Sequence, residues 1–594
     1  MKLSNNEFKV LIVLKDAKTE YTQREIASLT ELSLGTVNEV FNNLLKKGYI
    51  LKTGVVTEEG LKQLEPYKVN NAIIMAAGMS SRFAPISYEY PKGVLEVKGE
   101  VLIERQIRQL LEVGIDDITI VVGYKKEQFF YLADKYNVKI VVNPDYAIKN
   151  NYYTLWLVKE KLSNTFICSS DNYFTENPFE QYVYRGYYSA VYAEDKTDEY
   201  CLETGAYDII TKVTPGGEKA WYMLGHVYFD KEFSDKFVKI LEEEMKLPEV
   251  EDYLWEDIYA RHTDELKLQL KKYPNGFVYE FDSLEELREF DPMFIKNIDS
   301  KVLKNISTIL KCEIEDISSI KTIKLGLTNL SFKFTVRGKQ YVYRHPGIGT
   351  EQIISRESET FSNNVAAKLG IDKTFIYENE QEGWKISHYI DDCIPFDYHN
   401  REHVEKAMEL GRRLHKSGYE SKFNFDLWKK SESIINILKE NGRIEFKGFE
   451  ELYENVKKIN EHVVKDNVPK VLCHNDFWNP NFLIYGKEID LIDWEYSGMS
   501  DYASDLGTFI CCSDYTLDQA IEVYEVYFQR KLNYKELAHC LGYTALSSFY
   551  WFVWALYKEF TGHQVGEYLY IWYRYAKKYS DEGLAVYKKI EEKK

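Results

Sequence analysis

Three polar residues in the last third of the chain have the types and the spacing that phosphoryl transfer requires. One apolar run leads into a loop that contains Asp476, Asn481 follows five residues later, and a second apolar run, residues 489–492, ends at Asp493. Phosphoryl transfer needs a carboxylate that orients the attacking hydroxyl and oxygen ligands that hold Mg²⁺ on the phosphates. Asp476 suits the first role, and Asn481 and Asp493 carry oxygen ligands fitted to a hard cation.

A glycine-bearing turn earlier in the chain indicates a second phosphate site. Ala77 and Gly78 lie at the end of an apolar run that starts at residue 72, and Arg82 and Lys92 follow. Such a turn after a strand presents backbone N–H groups to phosphates. Arg82 and Lys92 would neutralise a triphosphate while pyrophosphate leaves.

A third group of residues is aromatic. Trp551 and Trp554 are three residues apart, so they share one face of a predicted helix. Together with Tyr557, Glu495 and Tyr496 they offer aromatic faces and a carboxylate, which can hold a quaternary ammonium through the ring quadrupole. The alternative interpretation is an ordinary hydrophobic core helix.

Three blocks of sequence must position these groups, because 594 residues are too many for one domain. Residues 1–68 have the pattern of short amphipathic helices. Residues 69–292 alternate between helix and strand patterns, which predicts an α/β fold with a parallel sheet. Residues 293–594 begin with strands and become helical and aromatic. Asp291-Pro292 is the predicted junction between the last two blocks.

Periodicity predicts three elements of the second block in detail. Leu102–Glu112 has the pattern of a helix, and Ile118–Val122 and Lys139–Val142 have the pattern of strands.

Composition argues against several classes of protein. The formal net charge of −18 is unlike that of a generic nucleic-acid binder. Eight cysteines without C-x-x-C spacing disfavour zinc and redox motifs, and we expect reduced thiols in a cytoplasmic protein. The most apolar stretch, residues 544–556, is shorter than the roughly 20 residues of a membrane span. We therefore expect a buried helix there and no membrane partner.

The segment around Asp476 resembles the protein-kinase-like fold, in which an H-x-D-x-x-x-x-N loop precedes a metal-binding Asp. The resemblance implies a two-lobed α+β domain that binds ATP. It implies that a loop ending at Asn329 covers the phosphates and that Arg344 replaces the phosphate-binding Lys, as in the choline kinase group. A guanidinium can pair bidentately with phosphate. Glu359 is the implied ion-pair partner of Arg344, and Glu357 remains a competitor.

The motif I-D-W-E-Y-S at residues 492–497, together with the paired tryptophans, resembles bacterial choline kinases. This resemblance covers roughly residues 315–580. It implies choline as the acceptor rather than an aminoglycoside or ethanolamine.

The pattern A-A-G-x-x-S-R-x-x-P…P-K, which begins at Ala76, resembles nucleotidyltransferases that join a nucleoside triphosphate to a phosphorylated small molecule. Within them it is similar to bacterial CTP:phosphocholine cytidylyltransferases, over about residues 71–290. The resemblance implies a Rossmann-like, mixed or mostly parallel sheet. It also implies that Asp171 binds Mg²⁺. We expect the second carboxylate at Glu256, with Asp257 as the alternative.

Two residues of this block depart from that family's pattern. Gly93 replaces the usual Ala after the lysine, which we expect to be harmless, and Ser169 stands where an acidic residue is usual.

A group of aromatic and acidic side chains in the same block supplies either a choline cage or ordinary core. They are Tyr192, Glu194, Glu199, Tyr200 and Trp221.

The first block resembles a helix-turn-helix with a wing, carried by residues 22–27, 33–38 and 45–50. In DNA-binding proteins of this type the second helix reads the bases. Residues 1–68 contain ten Lys or Arg and nine Asp or Glu, so the block is nearly neutral. DNA binding and a role in docking or dimerisation both stay open.

Taken together, the resemblances imply a bifunctional enzyme. One block would make phosphocholine from choline and ATP, and the other would join phosphocholine to CTP, with Mg²⁺ in both active sites. Two alternatives are the same steps on ethanolamine or another amino alcohol, and a DNA-binding regulator that senses these ligands. The sequence leaves the oligomeric state open.

Overall fold

The computed structural model describes residues 2–17, 20–323, 330–346, 355–442, 444, 447–562 and 565–593. The chain forms two compact units, Met1–Glu315 and Asp316–Lys594. The first unit extends beyond residue 292, and a side-chain nitrogen of Arg288 donates to the carbonyl oxygen of Glu315 at 3.0 Å. The boundaries predicted at residues 68/69 and 292/293 remain predictions.

The first unit begins with helices and a short wing. The hydroxyls of Ser4 and Thr22 cap the first two helices, and a Glu three residues later closes each capping box. An antiparallel bridge between Ile50 and Val56 forms the wing. The predicted winged helix-turn-helix is therefore present. Its helices are α1 (Asn5–Lys15), α2 (Gln23–Thr30), α3 (Leu34–Lys46) and α4 (Glu58–Leu64).

A seven-stranded mixed sheet, in the order β10-β8-β9-β6-β1-β4-β5, is the centre of the first unit. β1 pairs in parallel with β4 and β6, whereas β9 pairs antiparallel with β6 and β8. The Rossmann-like, mostly parallel sheet is thus confirmed. The strands of this unit are β1 (Asn71–Ala76), β2 (Glu96–Val97), β3 (Glu100–Val101), β4 (Ile118–Val122), β5 (Lys139–Val142), β6 (Thr165–Ser169), β7 (Tyr173–Phe174), β8 (Tyr187–Thr204), β9 (Ile210–Phe229), β10 (Gln269–Lys272) and β11 (Val278–Tyr279).

Helices pack on both faces of this sheet, because the central strands are buried on both sides and cannot face water. The three elements predicted in detail, α5, β4 and β5, have the predicted bounds. The helices are α5 (Leu102–Glu112), α6 (Tyr131–Tyr136), α7 (Asn151–Leu157), α8 (Lys231–Glu244), α9 (Trp255–Arg261), α10 (Leu284–Phe290), α11 (Phe294–Asn297) and α12 (Lys301–Leu310).

Aromatic side chains fix the winged helix to the segment that leads into β8. The Tyr184 ring lies 5.4 Å from the Phe8 ring and stacks on the Tyr67 ring at 5.5 Å. The Tyr184 hydroxyl donates to the carbonyl oxygen of Leu3 at 3.0 Å. The winged helix and the sheet domain therefore share packed contacts within the first unit.

The second unit has two lobes. Its first lobe is a five-stranded antiparallel sheet in the order β12-β13-β14-β16-β15. The helix α13 lies between β14 and β15 in the sequence. The predicted protein-kinase-like α+β fold is confirmed. The elements of this lobe are β12 (Ile317–Ile323), β13 (Leu330–Val336), β14 (Lys339–His345), α13 (Arg356–Lys368), β15 (Phe375–Glu378) and β16 (Lys385–His388).

The other lobe is helical, with two small antiparallel sheets, β17-β20 and β18-β19. The apolar run at residues 544–556 lies inside the buried helix α19, as predicted. Among the described residues, every helix is too short or too polar to cross a lipid bilayer. The elements are α14 (Arg401–His415), α15 (Leu427–Glu440), α16 (Phe449–Lys465), β17 (Val471–Cys473), β18 (Phe482–Tyr485), β19 (Glu488–Leu491), β20 (Gly498–Ser500), α17 (Tyr502–Cys511), α18 (Leu517–Phe528), α19 (Tyr534–Phe560) and α20 (Tyr568–Glu591).

Candidate active sites

Helix α17 fixes the loop that follows β17. The carboxylate of Asp505 accepts the backbone N–H of His474 at 3.0 Å and that of Asn475 at 2.6 Å. A ring nitrogen of His415 lies 2.9 Å from the same carboxylate. The sequence analysis assigned no role to Asp505 or to His415. They hold the loop backbone in place immediately before Asp476.

Asp476, Asn481 and Asp493 come together as their spacing predicts. The Asn481 side-chain amide donates to an Asp476 carboxylate oxygen at 2.9 Å. The backbone N–H of Ile492 donates to the backbone carbonyl oxygen of Asn481 at 2.9 Å, and this bond places Asp493, the next residue, beside the loop. Burial, and then the charge of Asp493, raise the pKa of Asp476 to about 8. The group can therefore hold or release a proton near neutral pH.

Arg344, on β14, is buried among carboxylates. Its guanidinium contacts Glu359 of α13 and lies 3.1 Å from an Asp493 oxygen and 3.5 Å from a Glu378 oxygen. The competitor Glu357 instead pairs with Lys422. The implied Arg344–Glu359 pair is thus present in the structure. Asn329, the other residue of the predicted phosphate contacts, lies outside the described residues.

The buried acid Glu359 is the centre of this charge cluster. Burial by itself would raise the pKa of Glu359, but Arg344, Lys385 and Arg356 together hold that pKa below its usual value. Arg356 lies 3.1 Å and Lys385 lies 3.8 Å from Glu359 oxygens. Lys385 faces Arg344 directly across the β14–β16 pair. The cluster locks α13 onto the sheet.

Two of the predicted aromatic residues of α19, Trp551 and Trp554, meet Tyr496 in one buried group. Trp551 lies 5.5 Å from the Tyr496 ring and 5.4 Å from the Trp554 ring, in edge-to-face contacts. Both indoles are less than a tenth exposed. Glu495 is also buried, and burial followed by repulsion from Asp493 raises its pKa. Tyr557 is only partly buried, and its ring contacts Phe560 at 6.5 Å.

Trp572 of α20 joins this aromatic group, and sequence reasoning missed it. Its ring lies 5.9 Å from Trp551 and 6.5 Å from Trp554. Tyr568, also on α20, lies 5.3 Å from Trp572 and 5.9 Å from Trp478 in the catalytic loop. A continuous row of rings thus connects α19 with the loop that carries Asp476. The signal that could have identified it is the density of aromatic residues in α20.

In the first unit a cavity of about 410 Å³ opens beside the glycine-bearing turn. Ala77, Gly78, Lys92 and Asp171 line it, as their predicted roles require. The Lys92 ammonium lies 3.4 Å from an Asp171 oxygen, and its side chain is only a tenth exposed. The predicted residues therefore form one pocket with a cation, a carboxylate and backbone N–H groups.

Arg82, unlike Lys92 and Asp171, has a side chain that is mostly exposed to solvent. Its side chain is 78% exposed, and its guanidinium pairs with Asp282 at 3.4 Å. Arg82 does not line the 410 Å³ cavity. Its role in binding a nucleotide stays a prediction.

Glu280, which the sequence analysis did not select, lies beside Asp171. It follows β11, whose antiparallel pairing with β7 brings it next to Asn172, and the Asn172 amide donates to it at 3.0 Å. Burial, and then repulsion from Asp171, raise the pKa of Glu280. Two mutually repelling carboxylates, with oxygen donors only, fit a divalent cation.

Glu256, the expected second carboxylate, has other partners. The Asn151 amide donates to it at 3.1 Å and the Tyr188 hydroxyl at 3.2 Å, and burial raises its pKa to about 7. The alternative, Asp257, accepts the Tyr200 hydroxyl at 2.6 Å. Neither residue lines the 410 Å³ cavity, whereas Glu280 does. The geometry favours Glu280 for the role that we expected at Glu256.

A second cavity of about 470 Å³ adjoins the first, since Glu280 lines both. Its walls include the predicted cage residues Tyr192 and Glu199, together with Tyr222 and Tyr279. Burial, followed by the charge of Asp282, raises the pKa of Glu199. The second cavity therefore combines aromatic rings with carboxylates.

Three successive parts of the chain match known families: the winged helix, the sheet domain of the first unit and the second unit. Residues 3–50 match the family described as winged helix-turn-helix DNA-binding. Residues 72–179 match the MobA-like NTP transferase domain, and residues 320–537 match choline/ethanolamine kinase.

Relatives of known activity resemble individual parts of the chain. Choline-phosphate cytidylyltransferase of Streptococcus pneumoniae is 35% identical over 226 residues, which are 38% of this chain and 98% of that protein. The 2-aminoethylphosphonate cytidylyltransferase of Lancefieldella rimae is 31% identical over 229 residues, 38% of this chain and 93% of that protein. The solved structure of choline kinase LicA from Streptococcus pneumoniae is 24% identical, covers 47% of this chain and 98% of its own, and has a TM-score of 0.41.

The transferase match is 35% identical and covers 98% of the relative. The winged-helix match precedes it in the chain and the kinase match follows it. Through its transferase part the chain belongs to the choline-phosphate cytidylyltransferase family, and it joins to that part a winged helix-turn-helix and a choline/ethanolamine kinase domain.

Proposed function

We propose that the chain converts choline to CDP-choline in two steps. ATP would first phosphorylate choline, and CTP would then react with phosphocholine to give CDP-choline and pyrophosphate. The observation that carries the proposal is the presence of two sites whose reactions share one metabolite. The product expected of the kinase domain is the substrate of the transferase family to which the first unit belongs.

In the proposed kinase step the choline hydroxyl oxygen attacks the γ-phosphorus of ATP, and the bond to the ADP oxygen breaks. Asp476 would orient the hydroxyl and take its proton, for which its raised pKa suits it. Asn481 donates to Asp476, which fixes the direction of the carboxylate. Arg344, anchored on Glu359, would bind phosphate oxygens.

In the proposed transferase step a phosphate oxygen of phosphocholine attacks the α-phosphorus of CTP, and pyrophosphate leaves. Lys92 would stabilise the negative charge that develops on the phosphates. Lys92 lines the cavity, and its ammonium is held next to Asp171 and also donates to the carbonyl oxygen of Phe281. Ala77 and Gly78 would offer backbone N–H groups to the triphosphate.

We also propose Mg²⁺ for both sites. Asn481 and Asp493 would hold it in the kinase domain, and Asp171 with Glu280 would hold it in the transferase domain, because all four supply oxygen ligands. When bound, the cation would neutralise charge on the phosphates of the nucleotide.

For the acceptor, both sites offer aromatic rings next to carboxylates. In the kinase domain Trp551, Trp554 and Glu495 would surround the trimethylammonium group. In the transferase domain the second cavity, with Tyr192 and Glu199, would do the same. Ethanolamine or another amino alcohol remains the alternative acceptor, because a primary ammonium also binds carboxylates.

Two matched variants test the proposal. With choline, ATP, CTP and Mg²⁺, Asp476→Ala should make no CDP-choline, yet it should make CDP-choline at the wild-type rate when phosphocholine is supplied. Asp171→Ala should instead accumulate phosphocholine. Mass spectrometry of the products would read both results. If both variants still convert choline to CDP-choline, the two sites are assigned incorrectly.

For the winged helix, DNA binding is a separate proposal, supported by the match of residues 3–50. The exposed side of α3 carries amide side chains. The Asn38 amide donates to the side-chain oxygen of Gln23 at 3.0 Å, and the Asn42 amide donates to the side-chain oxygen of Asn38 at 2.9 Å. Amides of this kind can read adenine in the major groove. Fluorescence anisotropy with a labelled duplex, repeated at several salt concentrations, tests it, because phosphate binding weakens as salt rises.

A further inference from the structure

A lysine lies on the same helix face as the paired tryptophans. Trp551, Trp554 and Lys558 occupy positions i, i+3 and i+7 of α19, so their side chains leave the helix in the same direction. The Lys558 ammonium lies 5.3 Å from the centre of the Trp554 ring. A cation of the protein's own therefore sits on an aromatic face that the proposed function gives to the acceptor.

The Lys558 ammonium is turned towards the protein, because the Trp554 ring over which it lies is itself buried. The side chain is only partly exposed, and burial lowers the pKa of Lys558 while Glu495 opposes this effect. Glu495 is buried, and the residue after it, Tyr496, contacts the Trp551 ring at 5.5 Å. The ammonium therefore lies over the Trp554 ring and is attracted by the charge of Glu495. A quaternary ammonium would use the same two groups.

One aromatic face and one carboxylate cannot hold two cations without a cost. Two positive charges within about 5 Å repel each other, and the repulsion grows as water is removed. A trimethylammonium group that approaches Trp554 must therefore move the Lys558 ammonium towards solvent. The flexible four-carbon stem of lysine allows that movement, and the stem can stay packed on the ring.

We propose that Lys558 determines acceptor specificity in the kinase domain by holding the Trp554 face of the cage until a cationic acceptor displaces it. This inference rests on the proposed choline kinase activity. Its consequence is a charge-dependent penalty, since a cationic acceptor must displace Lys558 whereas an uncharged one of the same shape meets no charge repulsion. Lys558 thereby sets the KM for the acceptor and not the rate of phosphoryl transfer.

The test compares two acceptors in two variants of the full chain. Choline and its uncharged isostere 3,3-dimethylbutan-1-ol have the same shape and differ by one charge. Lys558→Met keeps the aliphatic stem and removes the charge, and Lys558→Gln is a second variant in case the first does not fold. Lys535→Met, on the exposed first turn of the same helix, is the matched control.

We expect Lys558→Met to lower the KM for choline about three- to tenfold, the range expected from losing one repulsive contact at a partly exposed site. The kcat for choline and the KM for the isostere should stay as in the wild type. Lys535→Met should change neither KM.

An unchanged or raised KM for choline in Lys558→Met would overturn the inference, and so would an equal fall for both acceptors, which would indicate relief of steric hindrance. Failure of the proposed function is a different result. In that case the wild-type protein itself would not phosphorylate choline.

Discussion

The two sites differ in how far they are prepared for a nucleotide. In the transferase domain Lys92 and Asp171 already line an open cavity of about 410 Å³. In the kinase domain Arg344 is engaged with three carboxylates, and one of them is Asp493, a proposed metal ligand. Binding of Mg²⁺ must replace an ion pair in both sites, Lys92–Asp171 in one and Arg344–Asp493 in the other, but only the kinase cation is also held by two further buried carboxylates.

This difference has a physical reason. The glycine-bearing turn supplies backbone N–H groups, which need no partner exchange before they meet a phosphate. The kinase site uses buried side-chain charges, and a buried charge must have a partner in the absence of substrate. Glu359 and Glu378 remain paired with Arg344 when Asp493 is released, so the exchange leaves no charge unpaired.

Removing the cation of the open cavity should have the largest effect. Lys92→Met should reduce the rate of CDP-choline formation from phosphocholine by about 10²–10³-fold, as for other groups that stabilise developing charge. The rate of choline phosphorylation by the same protein should stay unchanged, and it serves as the internal control. A loss of less than about fivefold would show that Lys92 does not meet the phosphates.

The kinase unit should lose stability at alkaline pH through His539. This buried imidazole lies 2.8 Å from Asp466 and 3.0 Å from Asp501, and despite burial, which opposes it, these contacts raise the pKa of His539 to about 9. Because the folded-state pKa exceeds the usual pKa of about 6.5, the stabilisation is complete below that value and is lost as the pH rises through about 9. It amounts to on the order of 3 kcal/mol.

Thermal unfolding of the full chain between pH 6 and pH 10 measures this effect. The transition of the kinase unit should fall with pH in the wild type, and in His539→Gln it should start lower and change little. Asp466 and Asp501 are the facing charges, and the Tyr587 hydroxyl also donates to Asp466. Parallel curves for the two proteins would contradict the assignment.

Arg344→Lys should weaken the kinase about tenfold, mainly through the KM for ATP, because an ammonium cannot hold Glu359 and phosphate oxygens with a planar fork. Steady-state kinetics with varied ATP would show this, with CDP-choline formation from phosphocholine as the control. An equal effect on both activities would indicate general misfolding.

The smallest effect that we predict concerns Gly93 of the transferase site. A Cβ at this position would lie 2.8 Å from both Cβ and Oγ of Ser170, which is too close. Gly93→Ala should therefore displace the neighbouring Lys92 and slow the transferase about threefold to tenfold, as for other overpacked sites. Adding Ser170→Gly should restore the rate, and an unchanged rate in Gly93→Ala alone would show that Ser170 moves freely.

Local patterns in the sequence predicted the elements that have strong periodicity. The helix α5 and the strands β4 and β5 have their predicted bounds, since an amphipathic helix leaves a helical period and a strand of this kind leaves a short run of apolar and β-branched residues. The contacts of Asp476 with Asn481 were also predictable, because both residues lie in one loop.

Residues that are brought in by distant elements could not be predicted in the same way. Glu280 reaches Asp171 only because β11 pairs with β7, and Trp572 reaches Trp551 only because α20 packs on α19. Glu256 looked suitable from its type, but its side chain is already held by Asn151 and Tyr188. Pairing of strands and packing of helices are long-range facts that a short motif does not contain.

We propose that one chain converts choline to CDP-choline through free or bound phosphocholine. The most direct measurement is a time course with the wild-type protein, methyl-labelled choline, ATP, CTP and Mg²⁺, followed by mass spectrometry. We expect labelled phosphocholine when CTP is omitted, labelled CDP-choline when both nucleotides are present, and neither when ATP is omitted. Labelled choline that stays unchanged in the complete mixture would exclude the two-step conversion.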